Sequence, residues 1–233
     1  MKTLGIMQPY LFPYLGYFQL IDSVDTFVFF DDVNYIKKGW INRNYILVDN
    51  NKYMWTLPLI KTSQNKKINE HEIFEPKKTK EKLSKLIYKA YEKAPNFKSV
   101  FPLINSILSG SEILISEIAL KSIFEITNYL NLNKTFKRSS DLINPNKYSS
   151  YLRIIDIIKL LNCSKYINPI GGYKLYDKLL FKKNGIELQF IETSEIFYKQ
   201  YNNNFIPNLS MIDVLMFNNI ETIKFFLKEY KLK

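Results

Sequence analysis

With one histidine, one cysteine and three arginines in 233 residues, this chain has little from which to assemble the commoner catalytic centres. His71 lies in a polar stretch and has no second histidine to join it, so a histidine-ligated metal centre or a Ser-His-Asp triad is not expected. His71 itself reads as an ordinary surface residue. Cys163 alone builds no disulfide framework, which suits a reducing compartment, and it reads as a small buried apolar residue. Only 7 glycines are present, so long flexible regions are not expected. No apolar run approaches the roughly 18 residues of a membrane span. The start, Met1-Lys2-Thr3-Leu4-Gly5, lacks the long apolar core of a signal peptide. A cytoplasmic location, no membrane span and no metal are therefore the expectations. A Walker A sequence, a GxGxxG motif and a KMSKS-like run are also missing.

What remains is apolar and aromatic: 46% hydrophobic and 15% aromatic residues, enough for a sizeable core without covalent staples. The net charge of +11 is spread over scattered lysines accompanied by many Asn and Ile residues, rather than drawn into a stripe. A nucleic-acid partner is therefore not expected. The one dense run, Lys77-Lys78-Thr79-Lys80-Glu81-Lys82, reads as the solvated first turn of a helix.

Residues 4–7 read as a buried strand, residues 14–21 as a helix with Pro13 in its first turn, and residues 26–30 as a second strand ending at Asp31-Asp32. Strand, helix and strand within about 30 residues form a βαβ unit with parallel strands. Residues 40–48 and 52–57 read as a hairpin turning at Asp49-Asn50-Asn51, appended to the parallel sheet. Helical periodicity then dominates, over 78–93, 97–108 and 112–130, with Ser111 as the expected cap of the last. Strands at 134–137, 165–168 and 186–191 alternate with helices at 149–161 and 175–183, and two short helices near 211–217 and 220–230 end the chain. The organisation predicted is an α/β sheet domain made of 1–69 and 133–233, carrying the ligand site, with 70–132 as a helical insertion or cap.

Ligands of open α/β sheets bind beyond the carboxyl ends of the strands. That rule selects residues 8–13, 31–38 and 168–172. In the first of these, Gln8, Pro9 and Tyr10 follow a strand and lead through Pro13 into Tyr14-Leu15-Gly16-Tyr17. A helix N-terminus there offers free N–H groups to an anion, and Gln8, Tyr10, Tyr14 and Tyr17 suit sugar or base recognition. Asp31 and Asp32 are the candidate catalytic carboxylates, able to accept the proton of an amine; adjacent strand residues face opposite ways, so only one is expected in the site. Lys37, Lys38, Trp40, Asn42 and Arg43 combine cationic, aromatic and amide groups. Lys38, Trp40 and Asn42 share a face if the strand starts early, and a scarce arginine at 43 points to a need for its fork. Gly171 and Gly172, with Tyr176 after them, form a strand-to-helix turn whose amides suit an oxyanion. Ser210 and Asp213 have the spacing of a capping box.

The opening arrangement resembles HIGH-type nucleotidylyltransferases and pantothenate synthetases, in which a strand runs into an HxGH turn that holds ATP phosphates. Tyr14-Leu15-Gly16-Tyr17 keeps that spacing with tyrosine in place of histidine. The resemblance supports a parallel, Rossmann-like sheet of the HUP/nucleotidyltransferase-like type more than adenylyl transfer. Over nearly the whole chain, the segments from Met7-Gln8-Pro9-Tyr10 to Leu20, from Asp25 to Asn44, from Gly171 to Asp177 and from Phe205 to Leu215 resemble the WbqC-like family. That resemblance implies a role in bacterial surface polysaccharide, including O-antigen, and transfer of an acyl or aminoacyl group such as glycine onto the amine of a nucleotide-linked sugar. The partners implied are that sugar and an acyl donor, with a thioester or ATP as the possible cofactor. An ATP-dependent carboxylate–amine ligase and a non-catalytic glycan- or nucleotide-binding subunit are the alternatives.

Overall fold

Six strands form one sheet in the order β5-β2-β1-β6-β7-β8, where β1 is Thr3–Met7, β2 Thr26–Phe29, β5 Thr135–Arg138, β6 Lys165–Pro169, β7 Glu187–Thr193 and β8 Tyr230–Leu232. The computed structural model describes residues 2–142, 150–201 and 204–233. All neighbouring pairs of this sheet are parallel except β7 with β8. This is the mixed α/β, Rossmann-like architecture expected from the alternation of strands and helices. The chain moves outward from β1 to β2 and β5, then returns to the other side of β1 to lay down β6, β7 and β8. The order therefore reverses between β1 and β6.

Strand alternation divides the side chains between two apolar layers. Leu4, Ile6 and Val28 join Tyr166, Leu188 and Phe190 beneath α5 (Ser150–Leu160) and α6 (Lys178–Lys183). Phe27 and Phe29 face the other way, into a core shared with α1 (Leu15–Asp22), α2 (Pro76–Tyr91), α3 (Phe97–Leu108), α4 (Ile115–Tyr129) and α7 (Met211–Phe217). Helix α1 is buried along Leu15–Ile21, which is why its sequence is apolar nearly all round. Strands β3 (Arg43–Val48) and β4 (Asn51–Thr56) turn through Asp49 and Asn50, both at positive φ, as a tight hairpin requires. They form a separate two-stranded sheet rather than an extension of the parallel one.

Several boundaries depart from the sequence reading, each for a local reason. Helix α4 starts at Ile115, not after a Ser111 cap, because the backbone before it pairs with another segment: Ile73 N–H donates to Ile113 at 2.8 Å and Ile115 N–H to His71 at 3.0 Å. Helix α6 occupies only Lys178–Lys183, since the Ile170–Gly172 3₁₀ turn uses the preceding chain and Asp177 caps the helix, accepting from Leu179 N–H. The last helix, α8, is Ile220–Phe226, and the residues after it become the antiparallel edge strand β8. The helix expected over 149–161 spans Ser150–Leu160; Ser149 lies outside the described residues. His71 is not a surface residue. It is buried, its ring lies 4.5 Å from that of Tyr35, Ser63 N–H donates to its Nε2, and Nδ1 meets the Lys67 carbonyl at 2.7 Å. With Nε2 accepting, the ring proton belongs on Nδ1. Lys80 likewise leaves the solvated run: it is buried, and its ammonium reaches the Gly110 and Glu112 carbonyls.

Candidate functional site

At the carboxyl end of β1 the chain runs through Gln8, Pro9 and Tyr10 into a turn at Leu11–Pro13. Phe12, at the tip, has φ 46° although it is not glycine, a strained conformation for a residue with a β-carbon. Three neighbours hold it there. Its N–H donates to Ser122 Oγ at 3.2 Å, and its carbonyl accepts from Asn44 Nδ2 at 2.8 Å and Ser210 Oγ at 2.7 Å. Leu11 N–H adds a bond to the Ile41 carbonyl at 3.0 Å. The segment singled out from sequence is thus pinned from α4, β3 and the start of α7. Tyr10, Tyr14 and Tyr17 cluster beside it. Tyr17 Oη donates to the Gln8 carbonyl at 2.9 Å, and its ring lies 5.7 Å from that of Tyr10. Burial, reinforced by the Tyr14 phenol, pushes Tyr10 up to about 12, and burial raises Tyr14 as well. These phenols are therefore hydrogen-bond donors at neutral pH.

Asp31 and Asp32 follow β2 in a turn, not in a strand, and both are buried. For that reason they do not face opposite ways: both meet Ser139 Oγ, at 3.2 Å for Asp31 Oδ1 and closer for Asp32. Asp31 also accepts from Ser140 N–H at 3.1 Å and Ser140 Oγ at 2.8 Å. Asp32 is ion-paired with Arg153 from α5, and that guanidinium lies 5.0 Å from the centre of the Phe30 ring. The result is a relay, Arg153–Asp32–Ser139–Asp31–Ser140, which is buried except at its last member. Ser140 is exposed, so among the described residues its hydroxyl connects the buried carboxylates to solvent. Burying this pair of charges is costly, and the guanidinium and the serine hydroxyls offset part of that cost.

The carboxyl end of β6 supplies Gly171 and Gly172. A β-carbon at Gly172 would lie 2.0 Å from Asn168 Nδ2, whereas one at Gly171 would meet nothing within 4 Å. Asn168 in turn accepts from Tyr166 Oη at 2.9 Å and donates to the Pro169 carbonyl. Tyr176 packs edge-on to Tyr166 and Phe181. Gly172 is therefore fixed by crowding, and the bare Gly171 is open.

A cavity of about 390 Å³ lies where the start of α1 meets the end of β7. Tyr14, Gly16, Thr193, Ser194, Glu195 and Phe197 contribute to its wall. Tyr14 gives α1 no side-chain cap, so the first N–H groups of the helix remain directed out of its N-terminus. A β-carbon at Gly16 would lie 2.5 Å from the Tyr14 ring and 2.7 Å from Thr193 Oγ1. Glycine there lets the helix start, the tyrosine ring and the strand end come together.

The basic-aromatic stretch has a different structure from the one expected. Strand β3 begins at Arg43, so Lys38, Trp40 and Asn42 lie in turns and share no strand face. Lys37 and Lys38 are exposed. Trp40 is half-exposed, packs 5.7 Å from Tyr45 and carries the Arg43 guanidinium 5.6 Å from its ring centre. Arg43 spends its fork on main chain, with Nε donating to the Gly39 carbonyl at 2.8 Å and an Nη to that of Lys38. Asn42 is buried, accepting from Tyr35 Oη and donating to the Leu57 carbonyl, each at 2.8 Å.

Ser139, Ser140 and Arg153, which contact the aspartates, carry no local sequence signal beyond the scarcity of arginine: of the three arginines, Arg153 pairs with Asp32, whereas Arg43 bonds main chain. Sequence spacing also misread Asp213. Ser210 does cap α7 through Ile212 N–H, but Asp213 makes no capping box. Its buried carboxylate accepts from Tyr91 Oη at 2.8 Å, Tyr198 Oη at 2.6 Å and Gln200 Nε2 at 2.9 Å. Burial raises its affinity for a proton, against the pull of those three donors.

Among the described residues, no helix is long and apolar enough to cross a membrane. No solved structure matches the chain. An uncharacterized protein of Mycobacterium tuberculosis, Rv1507c, is 26% identical over 218 residues, covering 92% of this chain and 93% of that protein. The model of the WbqC-like protein family matches residues 8–225, from the Gln8 turn to the last turn of α8. The chain thus belongs to the WbqC-like protein family.

Proposed function

We propose that the chain transfers an acyl or aminoacyl group onto the amine of a nucleotide-linked amino sugar destined for bacterial surface polysaccharide, with the reaction centred on the carboxyl edge of β1, β2 and β6. The observation that carries this reading is the reversal of strand order between β1 and β6. Ligands of open α/β sheets bind outside the carboxyl ends of the strands at such a point, and here the chain after β1, β2 and β6 carries phenols, a carboxylate relay and a glycine turn in that order. The amine nitrogen attacks the donor carbonyl, a C–N bond forms, and the bond from that carbon to the thiolate or phosphate leaving group breaks. The amine proton passes to Ser140 Oγ as that hydroxyl gives its own proton to Asp31, with Asp32 and Arg153 fixing the relay behind it. Amides at Gly171 and Gly172 face the oxyanion, and Gln8, Pro9, Tyr10, Tyr14, Tyr17 and Tyr176 shape the sugar site. Lys37 and Lys38 belong to a loop tied to the Tyr10–Pro13 turn through the bond between Leu11 and Ile41, which suits them to a diphosphate.

Mass spectrometry of nucleotide-linked amino sugars incubated with the protein tests this, with acyl thioesters in one set and ATP plus glycine in another. A product heavier by the acyl group in the thioester set supports the transferase. The same mass shift appearing only with ATP, accompanied by AMP or ADP, identifies the ligase alternative. Binding of the sugar without any mass shift overturns both and leaves a binding subunit.

A further inference from the structure

Downstream of the glycine turn, the chain exposes aliphatic and aromatic side chains in a setting where burial would be expected. Leu175 is 74% exposed, Leu179 67% and Tyr173 55%. Lysine surrounds them. Between 173 and 183 the sequence has Lys174, Lys178, Lys182 and Lys183 against one acid, Asp177, whose carboxylate accepts from Leu179 N–H as the cap of α6. All four lysines are exposed. Helix α6 buries Phe181 inward, which leaves Lys178, Leu179, Lys182 and Lys183 to the outer side. Tyr173 and Lys178 both lie over the Phe190 ring of β7, at 5.0 and 5.7 Å, so the strip before the helix and the helix itself make one patch.

We propose that this patch, Tyr173–Lys183, docks the protein on an anionic lipid surface. Charge complementarity and the exposed leucines select that occupant over three others. Nucleic acid would use the lysines but gives nothing to Leu175 and Leu179, which neither stack nor read a base. A protein partner would use the leucines, yet lysine is depleted from the cores of such interfaces. A second copy of this chain about a two-fold axis would bring the four lysines against their own equivalents. A bilayer interface takes both: aliphatic and tyrosine side chains enter the headgroup boundary while lysine stems extend to the phosphates. The patch follows directly on Gly171 and Gly172, so docking would bring the carboxyl edge of β6 next to the membrane surface. The inference stands whether or not acyl transfer is the activity.

Flotation of the full chain with vesicles of phosphatidylcholine, with and without about one-third phosphatidylglycerol, tests it. The protein is expected to float with the anionic vesicles and remain at the bottom with the neutral ones. Lys178→Gln with Lys182→Gln is expected to weaken binding roughly 20- to 30-fold, at about fivefold per lysine near an anionic surface. Leu175→Ser with Leu179→Ser is expected to weaken it with all four lysines intact, which separates docking from simple charge attraction. These side chains are exposed, so unchanged thermal melting of each variant verifies its fold. The proposal is overturned if the wild type stays with the buffer fraction, if neutral vesicles carry it equally, or if the variants float as the wild type does. Concentration-dependent dimerisation that the same substitutions abolish would instead assign the patch to a second copy.

Discussion

Neighbouring glycines with unequal surroundings give the sharpest residue-level test of the site. Gly172→Ala drives a β-carbon into Asn168 Nδ2, itself bonded to Pro169 and close to Tyr166, so the side chain cannot move aside freely. A loss of about 1–3 kcal/mol is expected from chemical denaturation, the usual range for overpacking. Gly171→Ala has open space and should stay within about 0.5 kcal/mol of the wild type. Equal losses would mean that crowding at Asn168 is not what fixes Gly172. The charge pair Asp32–Arg153 calls for a cycle rather than a single variant. Arg153→Met leaves a buried carboxylate without its cation and is expected to cost about 3–5 kcal/mol. Adding Asp32→Asn should recover part of that loss, since the orphaned charge is then gone. Additive losses in urea denaturation would place the cost elsewhere than in the pair.

At the scale of elements, periodicity made most of the fold legible. The alternating and 3.6-residue patterns placed β1, β2, α1, α3 and β6 close to where they lie, and the βαβ spacing gave the parallel sheet and its carboxyl edge. What failed was decided by distant backbone. Helix α4 starts late because residues 113–115 bond to 71–73, and β8 exists only because β7 offers it an edge. The candidate site was legible only as far as the topology. That Gln8–Tyr17, Asp31-Asp32 and Gly171-Gly172 each follow the carboxyl end of a parallel strand comes from topology. That both aspartates share Ser139, and that Arg153 rather than Arg43 serves a carboxylate, rests on contacts spanning more than 100 residues, which no local pattern announces. The Phe12 turn joins the two levels. Ser210→Ala removes one acceptor-side bond at Phe12 and the cap of α7 in one step, and about 1–2 kcal/mol of stability should go with it. Because the left-handed Phe12 depends on such restraints, faster cleavage within 10–13 by a protease is expected as well. Unchanged cleavage with a lower melting temperature would assign the whole effect to the helix cap.

Across the whole molecule, Asp213 joins parts that are far apart in the chain: Tyr91 from α2, Tyr198 and Gln200 from the segment after β7, and α7 itself. Tyr91 continues the link to the hairpin, accepting from Leu47 N–H at 2.9 Å. The consequence for pH follows from the direction of the shift. Burial raises this carboxyl above its ordinary 3.8, so the folded state holds the proton more tightly than the unfolded chain. The stability this contributes is complete below about pH 3.8 and is lost as pH rises through the folded-state value. Most buried carboxylates that are salt-bridged behave in the opposite sense. Asp213→Asn removes the titration and keeps most of the volume. Urea midpoints of wild type and variant, measured together from pH 4 to 8, should therefore change their difference in one direction. The wild type should lose ground to the variant as pH rises, and the difference should level off once the folded carboxyl is ionised. The variant will also carry a constant offset, because an amide cannot accept from all three donors as a carboxylate does; that offset has no pH dependence and leaves the slope readable. If the wild type instead gains on the variant with rising pH, the three donors outweigh burial, and Asp213 is an ionised hub throughout.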